Sequence, residues 1–572
     1  MKKMKRLIAV FTVFAFAIAL AACGSIGRRV TDGVFEGASS GFGGELRLAV
    51  TITDGEIENI VMISDNESYP VMSRTFPLLR QRILEARSPI VDGVSGATVT
   101  SFAIKSAVAN ASRQAGIDFG FITFATRGPA PEQLVRSPVR ADVVIVGGGP
   151  AGLAAAIEAR QAGAQNVILI EKLDVLGGSG KHNMNFSEII NSQAQLANGR
   201  PEAIETFAAH ISGRELVPAR TAVWAQGAAD IDAWLRSFGV QLNYNWGRFN
   251  HKAGPDTYAG DHMMTGMEAR LNQLDVDIRT GTKGLDLIME NGVVTGVIAE
   301  DRHGRYDIMA AAVILATGGF AANRALLAQH MPGTELLPTT NPRHATGHFI
   351  PLFEQYGFWV ARMNGLVMST PVLSRNLKLT GSTGASPGFL YVNENGERFT
   401  SETIGGLAQA NRFREQPGGR VFLIYDQNMF DEDYVGSRRF VGQYREGFHI
   451  SAPTLEELAA RLGINGANLV AAVQTFNRAV DGEISDPFRA AAFTRRFREE
   501  GPFYGVQVTS AVHMTRGGVV PDERARALMA DGSVVQGLFA AGEVTATLGN
   551  FSAAVIFGKV AGREAAYFAA QQ

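Results

Sequence analysis

The stretch VDGVSGATVTS, residues 91–101, groups two serines and two threonines around glycines. It directly precedes FAIKSAVANA, whose apolar periodicity predicts a helix. Such a turn could present a hydroxyl group or hold a phosphate, because its glycines permit tight bending and the helix N-terminus favours an anion. It lacks the lysine and the spacing of a P-loop. An ordinary N-cap by Thr100 or Ser101 of a helix over Phe102–Ala111 is the alternative.

A second glycine-rich turn lies in ADVVIVGGGPAGLAAAIEARQAGAQNVILIEK. Asp142–Val146 has the pattern of a buried strand and Leu153–Ala162 that of a helix, and a second strand, Val167–Ile170, follows. Between the first strand and the helix the glycines fill G-x-G-x-x-G. Such glycines let the backbone approach a pyrophosphate, and an acid after the second strand accepts ribose hydroxyls. The pattern predicts a dinucleotide site built from Gly147, Gly149, Ala151, Gly152 and Glu171.

The surrounding segments predict an α/β protein with a small N-terminal and a large C-terminal domain. ELRLAVTI and EIENIVMI alternate apolar and polar residues, and Asp54-Gly55 between them is a β-hairpin signal. Residues 120–140 carry proline and arginine without periodicity, which is typical of a linker. The 572 residues fit about three or four domains. The charge is nearly balanced, with a net value of −2. The sequence contains no basic stripe, so no nucleic-acid partner is expected.

The first 23 residues predict export and lipid attachment. MKKMKRLIAVFTVFAFAIALAAC has a basic start, an apolar run and small residues before Cys23, as in a secretory signal peptide. LAAC followed by Gly24 resembles a bacterial lipobox, whose cysteine is lipidated and becomes the mature N-terminus. The expected location is extracytoplasmic, lipid-anchored to the bacterial cell membrane on its periplasmic or outer surface. A secreted protein with an idle cysteine is the alternative.

Cys23 is also the only cysteine in the chain. A single cysteine cannot form an intrachain disulfide, ligate an iron–sulfur cluster or attach a haem through C-x-x-C-H. No metal site is predicted. Redox chemistry in this chain is therefore expected to use organic cofactors.

Five motifs carry a resemblance to known flavoproteins. In chain order they are DAWLRSFGV, ATGGF, YVNENGERFTSE, VHMTRGGV and GLFAAGEV. The second and the last are strands that run into glycine turns, as in flavoproteins with two dinucleotide folds, so FAD rather than NAD is expected. The whole set, over residues 139–572, resembles the fumarate reductase / succinate dehydrogenase flavoprotein family. The resemblance is strongest to its soluble branch of flavocytochrome fumarate reductases and urocanate reductase.

The resemblance implies a glutathione-reductase-like FAD domain of two dinucleotide folds, with an inserted α+β capping domain, and a small α+β FMN-binding domain. The implied boundaries are a signal peptide and lipobox at 1–23, the FMN-binding domain at 28–118, a linker at 119–138, the FAD-binding domain at 139–339 and 506–572, and the capping domain at 340–505.

The same resemblance assigns further residues to a noncovalent FAD. Glu543 in the last motif would bind the ribityl–pyrophosphate region, and Ser179 and Gly180 of GGSGKHNMNFS would touch the phosphates. His182 in that turn raises the alternative of a histidyl-linked flavin. Because the soluble branch holds FAD noncovalently, His182 is expected to be an uncrosslinked neighbour.

Residues 32–101 resemble the FMN-binding domain of bacterial respiratory flavoproteins. There a flavin transferase joins FMN through a phosphoester to the last threonine of an S-G-A-T motif. The matching residue is Thr98, and Asp92, Ser95 and Gly96 complete the motif. The resemblance thus implies that the hydroxyl-rich turn carries covalent FMN and that the transferase is a maturation partner.

In the resembling family, FAD passes a hydride to one alkene carbon and an arginine of the capping domain protonates the other. The N-x-x-G-x-R-F segment makes that arginine Arg398. Its pKa above about 12 makes an arginine a poor acid in water, so the role needs a proton relay. The relay glutamate and arginine of the family are missing from the sequence. A salt-bridged surface arginine is the alternative.

The dicarboxylate clamp of the fumarate reductases is nearly lost. MSTPVLS at 368–374 and LTGSTGASPGF at 379–389 contain no histidine, glutamate or arginine, and GEVTATLGNFSAAVIFG at 542–558 contains no arginine. Losing an arginine–carboxylate contact costs about 2–5 kcal/mol, so fumarate is not expected to be the substrate. A larger, less charged unsaturated molecule is expected. Its predicted binding residues are His513, Met514, Ser369 and Ser382, with Met368, Phe389, Met514 and Phe551 as apolar walls.

These observations predict a reductase of an activated C=C bond, enoate- or enone-like, in which FMN passes electrons from a membrane donor to FAD. Two alternatives stay open: an FAD-dependent dehydrogenase of the ketosteroid dehydrogenase type, and a non-enzymatic flavin electron carrier. Retention of Arg398 argues against the carrier. The FMN domain argues against the dehydrogenase, because a two-electron dehydrogenase needs no one-electron feeder.

Overall fold

The chain forms two compact units, Met1–Ala130 and Pro131–Gln572. The computed structural model describes residues 30–67, 69–128, 131–183, 185–244, 249–254, 258–374, 388–431, 443–444, 447–486, 488 and 495–572. The predicted signal peptide and Cys23 lie outside these residues. In the described part, no helix is long and apolar enough to cross a membrane.

The N-terminal unit is an antiparallel sheet of three strands packed against two helices. Its elements are β1 (Gly33–Ser40), β2 (Glu45–Thr53), β3 (Glu56–Asp65), α1 (Tyr69–Ala86) and α2 (Thr98–Gln114). The predicted hairpin is confirmed, because Asp54 and Gly55 join β2 to β3 with φ of 53° and 76°. Gly37 lets α2 lie against β1, since a Cβ on it would be 1.9 Å from the carbonyl oxygen of Ala107.

The C-terminal unit contains twelve helices and seventeen strands among its described residues. The helices are α3 (Pro150–Gln161), α4 (Gln193–Ala197), α5 (Ile204–His210), α6 (Ala219–Arg236), α7 (Ala259–Gln273), α8 (Arg324–His330), α9 (Ile350–Gln355), α10 (Gly406–Arg414), α11 (Gln427–Met429), α12 (Leu455–Leu462), α13 (Gly466–Val480) and α14 (Phe551–Ala569). Short 3₁₀ turns lie at Gly180–His182, Thr334–Leu336 and Pro417–Gly419.

The strands of this unit are β4 (Val139–Val146), β5 (Val167–Ile170), β6 (Asn243–Tyr244), β7 (His251–Lys252), β8 (Asp277–Arg279), β9 (Lys283–Glu290), β10 (Val293–Asp301), β11 (Gly304–Leu315), β12 (Val360–Ala361), β13 (Leu366–Leu373), β14 (Phe389–Asn393), β15 (Val421–Asp426), β16 (Ile450–Ala452), β17 (Phe503–Thr515), β18 (Gly518–Val519), β19 (Arg526–Leu528) and β20 (Val534–Ala540).

The larger sheet has the order β19-β20-β11-β4-β5-β8, with β10 and β9 added beside β11. Strands β20, β11, β4, β5 and β8 are parallel to one another. Side chains of β4 alternate between two cores: Val143 and Ile145 face one, Val144 and Val146 the other. Helices α3 and α14 pack together on the first face. Both faces of the sheet are therefore buried, as expected for a parallel sheet.

A second sheet has the order β13-β17-β15-β14, with β16 also paired to β17. Its strand β14 alternates too: Leu390 and Val392 lie in one core, Phe389 and Tyr391 in the other. Helices α12 and α13 form the first of these cores with the sheet. Strand β17 runs on to Thr515, whose side chain reaches the loops of the larger sheet. The second sheet is thus tied to the first by one long strand.

Candidate cofactor and active site

The predicted dinucleotide turn joins β4 to α3 by very close backbone packing. A Cβ on Gly147 would lie 2.4 Å from the carbonyl oxygen of Ala316, and one on Gly152 would lie 1.8 Å from that of Gly147. Gly149 is the N-cap of α3, which has no side-chain cap, and a Cβ there would meet no protein atom within 4 Å. The first N–H groups of α3 therefore face space that a phosphate group can occupy.

Ala151 contributes to this turn through its backbone. It is the second residue of α3, so its N–H belongs to the first turn. Its backbone is covered by α14, since a Cβ on Gly558 would lie 2.3 Å from the Ala151 carbonyl oxygen, and its methyl group is buried beside Gly542. The predicted contact of Ala151 with a cofactor is thus limited to its N–H group.

Glu171 follows β5 and is held beside the turn. Its carboxylate accepts the Gly148 N–H at 2.7 Å and the Leu173 N–H at 2.9 Å, one at each oxygen. Burial raises the pKa of Glu171, and these two hydrogen bonds act in the opposite direction. A carboxylate has about four lone-pair sites, so two remain that can accept ribose hydroxyls.

The predicted phosphate-contact segment lies against the start of α3. A Cβ on Gly178 would be 3.2 Å from the Gly149 Cα, and one on Gly180 would be 2.2 Å from the Pro150 ring. Ser179 between these two glycines is exposed. The fold therefore brings Ser179 and Gly180 to the open N-terminus of α3, and their contact with the FAD phosphates stays a prediction.

Three segments distant in sequence meet at the other end of the site. Glu543 accepts hydrogen bonds from the Thr515 N–H at 2.9 Å and from the Thr515 hydroxyl at 3.0 Å. A Cβ on Gly319 would lie 2.3 Å from both side chains, so only a glycine fits between them. Burial raises the pKa of Glu543, whereas the Thr515 hydrogen bonds lower it. The hydroxyl of Thr317 in the same loop is buried without a hydrogen-bond partner among the described residues.

These observations fit a bound FAD. The uncapped start of α3 offers N–H groups to a pyrophosphate, Glu171 offers acceptors to a ribose, and the unpartnered Thr317 hydroxyl lies in the loop after β11. All of them are at the carboxyl ends of parallel strands, where α/β folds bind dinucleotides.

The N-terminal unit presents Thr98 at the first position of α2. Its N-cap is Ala97, which supplies no side-chain cap, and Ser95, Gly96 and Thr98 are exposed. The turn before the helix is held from behind: Arg82 Nη1 donates to the carbonyl oxygens of residues 92 and 93, at 3.2 and 2.9 Å. An exposed hydroxyl at an uncapped helix N-terminus fits the attachment of a flavin phosphate.

The alternative interpretation of this stretch as an ordinary N-cap is wrong. The helix begins at Thr98, so Thr100 and Ser101 lie inside its first turn and are buried. The Thr100 hydroxyl donates to Glu67 Oε1 at 3.1 Å, and the Ser101 hydroxyl accepts the Val94 N–H at 2.9 Å. Both hydroxyls fasten the turn to the rest of the unit rather than cap the helix.

The residues predicted to contact the substrate are placed unequally. His513 Nδ1 lies 2.7 Å from the Thr340 hydroxyl, and Met514, next along β17, is half-buried opposite Val367. Ser369 lies in β13 opposite Ala511. Ser382 lies outside the described residues.

Besides Met514, the predicted apolar walls Met368 and Phe551 are partly buried beside the two cores of the larger sheet. Phe389 is 1% exposed and packs on Tyr391 in the core of the second sheet. The prediction for Phe389 is therefore wrong: strand alternation turns its ring into the core.

Arg398 lies in a buried ion-pair network. Its Nε and Nη2 donate to the two oxygens of Glu402 at 2.8 and 2.7 Å, and its Nη1 donates to Asp486 at 2.6 Å. Side-chain exposure is 7% for Arg398, 0% for Glu402 and 3% for Asp486. The ring centres of Phe476 and Phe488 lie 5.2 and 5.3 Å from the guanidinium carbon. Burial alone would lower the pKa of Arg398, but the two carboxylates raise it overall.

These contacts disfavour the predicted role of Arg398 as a proton donor. Each of its three nitrogens donates to a carboxylate, and a raised pKa makes the group a weaker acid. The alternative of a salt-bridged surface arginine is wrong about the location, because the side chain is buried. Glu402 and Asp486 were not predicted as partners, although Glu402 closes the motif YVNENGERFTSE four residues away. Its ion pairs join two segments of the second-sheet region, and its assignment as the proton donor stays a prediction.

Comparison with known proteins identifies both units. Residues 142–553 match the FAD binding domain family and residues 41–113 match the FMN-binding domain family. The structure is similar to the open conformation of a flavocytochrome c3 fumarate reductase, with a TM-score of 0.68 and 26% identity over 76% of this chain and 79% of that chain. The chain is therefore a flavoprotein of the predicted fold class, with FAD and FMN as its cofactors.

Two curated relatives narrow this class. The chain is 28% identical to the NADH:fumarate oxidoreductase of Klebsiella pneumoniae over 91% of this chain and 57% of that protein. It is 29% identical to the urocanate reductase of Eggerthella lenta over 93% of this chain and 92% of that protein. The chain belongs to the fumarate reductase-like family of FAD-binding flavoproteins. It spans somewhat more than half the length of the first relatives it matches.

Gly149→Ala tests where the FAD pyrophosphate lies. The φ of −82° suits alanine and the new methyl group meets no protein atom, so the fold should lose about 1 kcal/mol or less. The methyl group would occupy the space left for the phosphates, so FAD content after purification and FAD uptake by the apoprotein should fall. Gly152→Ala, whose methyl group would strike the Gly147 carbonyl, should instead lose the fold. Wild-type FAD affinity in a folded Gly149→Ala variant would place the pyrophosphate elsewhere.

Arg398→Ala distinguishes positioning from proton donation. Removing one partner of a buried ion pair costs about 3–5 kcal/mol, so the urea midpoint should fall markedly. The triple variant Arg398→Met with Glu402→Gln and Asp486→Asn, which removes the charge from all three members of the network, should recover part of this loss. In protein that stays folded, turnover should fall by less than the ~10²–10⁴ expected for a lost proton donor. A loss of that size at wild-type stability would restore the catalytic role.

Proposed function

We propose that this protein is a flavin-dependent reductase of a C=C bond conjugated to one carboxylate or carbonyl group, and that fumarate is a poor substrate. The observation that carries the proposal is the presence of two flavin-binding units in one chain, an FMN unit with exposed Thr98 and an FAD fold with an open phosphate site. The names of the two relatives support it, because fumarate and urocanate are both α,β-unsaturated carboxylates.

Reduction of a C=C bond consumes two electrons and two protons, and bound FAD in its reduced form would supply a hydride to one carbon while a proton would reach the other. The chain's own contribution is to position the cofactor and the alkene. Glu543, Thr515 and Gly319 fix the loop beside the site, and Met514 and Met368 offer apolar surface near β17. We propose these apolar residues as contacts for the body of the substrate.

FMN at Thr98 is proposed as the entry point for electrons. A flavin transferase would esterify the exposed hydroxyl, and a membrane electron donor would reduce the FMN, which then reduces FAD. The predicted lipid anchor at Cys23 supports this arrangement, because it would hold the protein at the extracytoplasmic surface of the bacterial cell membrane.

The dehydrogenase and electron-carrier alternatives have less support. A dehydrogenase would give electrons up and has no use for an FMN unit that feeds them in. A pure carrier would need only flavin-binding domains, whereas the C-terminal unit of this chain also contains the second sheet and its ion-pair network. The retention of Arg398 no longer argues against the carrier, because its contacts explain it structurally.

Thr98→Val should abolish covalent FMN. When the protein is produced together with a flavin transferase, the peptide Asp92–Lys105 should carry the mass of FMN, and acid precipitation should release FAD only. Thr53→Val is the matched control, because Thr53 is an exposed threonine of the same unit that lies outside the motif, and this variant should keep the adduct. An adduct retained by Thr98→Val would overturn the assignment, and FAD that resists acid would point to His182.

The substrate class can be tested with reduced holoprotein and a panel of alkenes. A 3-arylacrylate or the corresponding enone should reoxidise the flavins rapidly. Fumarate should react about 10²-fold more slowly in kcat/KM, because its second carboxylate lacks a charged partner. Flavin reoxidation followed by visible absorbance gives both rates. Fast fumarate turnover would show that a dicarboxylate site is present after all.

A further inference from the structure

Arg516 differs from Arg398 and Arg220 in the groups that it contacts. It follows β17 directly, is half-buried, and donates from Nη1 to the Gly549 carbonyl oxygen at 2.6 Å. Among the described residues it makes no ion pair, and its Nε and Nη2 have no acceptor. Arg398 and Arg220, by contrast, both bind carboxylates. Arg516 is therefore a positioned cation with two nitrogens that remain available.

The groups around Arg516 leave a net positive charge. Within the described part of the chain, Arg362 donates only to the carbonyl oxygens of Gly213 and Arg214. The nearby carboxylates are engaged elsewhere: Glu188 pairs with Arg214, and Glu543 accepts both hydrogen bonds from Thr515. Gly549 also lies just before α14, a helix of 19 residues whose N-terminus adds a partial positive charge.

This environment is costly without an anion. Burial lowers the pKa of Arg516; Glu543 and Glu188 oppose that shift, while Arg214 and Arg362 add to it. The guanidinium nevertheless stays charged at neutral pH, because its ordinary pKa exceeds about 12. A partly desolvated cation with unsatisfied donors is unfavourable, and a carboxylate would satisfy both free nitrogens at once.

The position of Arg516 connects it with the flavin site. Its chain neighbour Thr515 is bonded to Glu543 and lies against Gly319, and its other neighbour Gly517 packs on Met363. The backbone is fixed as well, since the Arg516 N–H donates to the Gly365 carbonyl oxygen at 3.0 Å. A ligand on Arg516 would therefore lie beside the loop that holds the cofactor, next to Met514.

We propose that Arg516 binds the carboxylate of the substrate, so that the protein selects unsaturated monocarboxylates with an apolar remainder. The inference rests on the proposed function in one respect, which is that the ligand of Arg516 is the substrate. One available guanidinium, two residues along the chain from Met514, matches one carboxylate attached to an apolar group. Because the neighbouring Arg362 already donates from both Nη1 and Nη2 to the carbonyl oxygens of Arg214 and Gly213, a second carboxylate gains no equivalent contact from the described residues.

The test compares Arg516→Met and Arg516→Lys with wild-type holoprotein. Arg305→Met is the control, since Arg305 is a 71% exposed, ion-paired arginine in β11. Two substrates of the same shape are used: 3-phenylacrylate, which carries the carboxylate, and 4-phenylbut-3-en-2-one, which does not. Arg516→Met should raise KM for the carboxylate by about 30-fold and leave KM for the ketone within about twofold. Arg516→Lys, which keeps the charge but loses the planar fork, should fall between the two.

Equal losses for both substrates, or no loss for either, would overturn the proposal. FAD content and reduction by dithionite are measured for each variant and should match wild type. A mismatch would show that the substitution has damaged the flavin site. A binding experiment separates this inference from the proposed function. Calorimetric titration of oxidised holoprotein with 3-phenylpropionate, the saturated acid, should show binding that Arg516→Met abolishes.

If wild type binds the acid through Arg516 but reduces no alkene, the proposed reductase function fails and the anion site stands. If wild type reduces the alkenes but Arg516→Met binds the acid as tightly as wild type does, the reductase stands and the assignment of Arg516 is wrong. The two failures therefore give different results.

Discussion

The contact between the first turn of α3 and the last helix of the chain sets the geometry of the whole site. A Cβ on Gly558 would lie 2.3 Å from the carbonyl oxygen of Ala151, and one on Gly562 would lie 2.1 Å from that of Ala155. Two glycines four residues apart thus let α14 lie directly on α3. This contact fixes the start of α14, and with it Gly549, beside the phosphate-binding turn. Without it the cofactor site and the cationic site would not share one wall.

Two arginines show how the same side chain serves different ends. Arg398 is enclosed by two carboxylates, so its charge is neutralised and its contribution is to hold segments together. Arg516 donates to a carbonyl oxygen and to no carboxylate among the described residues, so its charge is not neutralised and can bind an anion. Desolvation acts on both, yet the pKa of Arg398 is raised and that of Arg516 is lowered. The partners rather than the burial decide which arginine can receive a ligand.

Sequence patterns predicted the parts of this protein that local rules control. Strand β5, the Asp54-Gly55 hairpin and the glycine turn after β4 follow from alternation and from backbone demands, and the structure contains them. The partners of side chains did not follow in the same way. Asp486 meets Arg398 across 88 residues, and Arg516 reaches Gly549 across 33. The segment 542–558 does lack an arginine of its own, but tertiary packing supplies one from the end of β17.

Two threonines of the stretch 91–101 also differ in their surroundings because of their tertiary contacts. Thr98 and Thr100 are two residues apart, yet one is exposed at the start of α2 and the other is buried on Glu67. A helix turns by about 200° over two residues, so the two hydroxyls must face nearly opposite directions. Once Thr100 is fixed to the core of the unit, Thr98 is necessarily presented outward. The buried hydroxyl thereby orients the one that we propose to carry FMN, and a modifying enzyme needs that outward orientation to reach it.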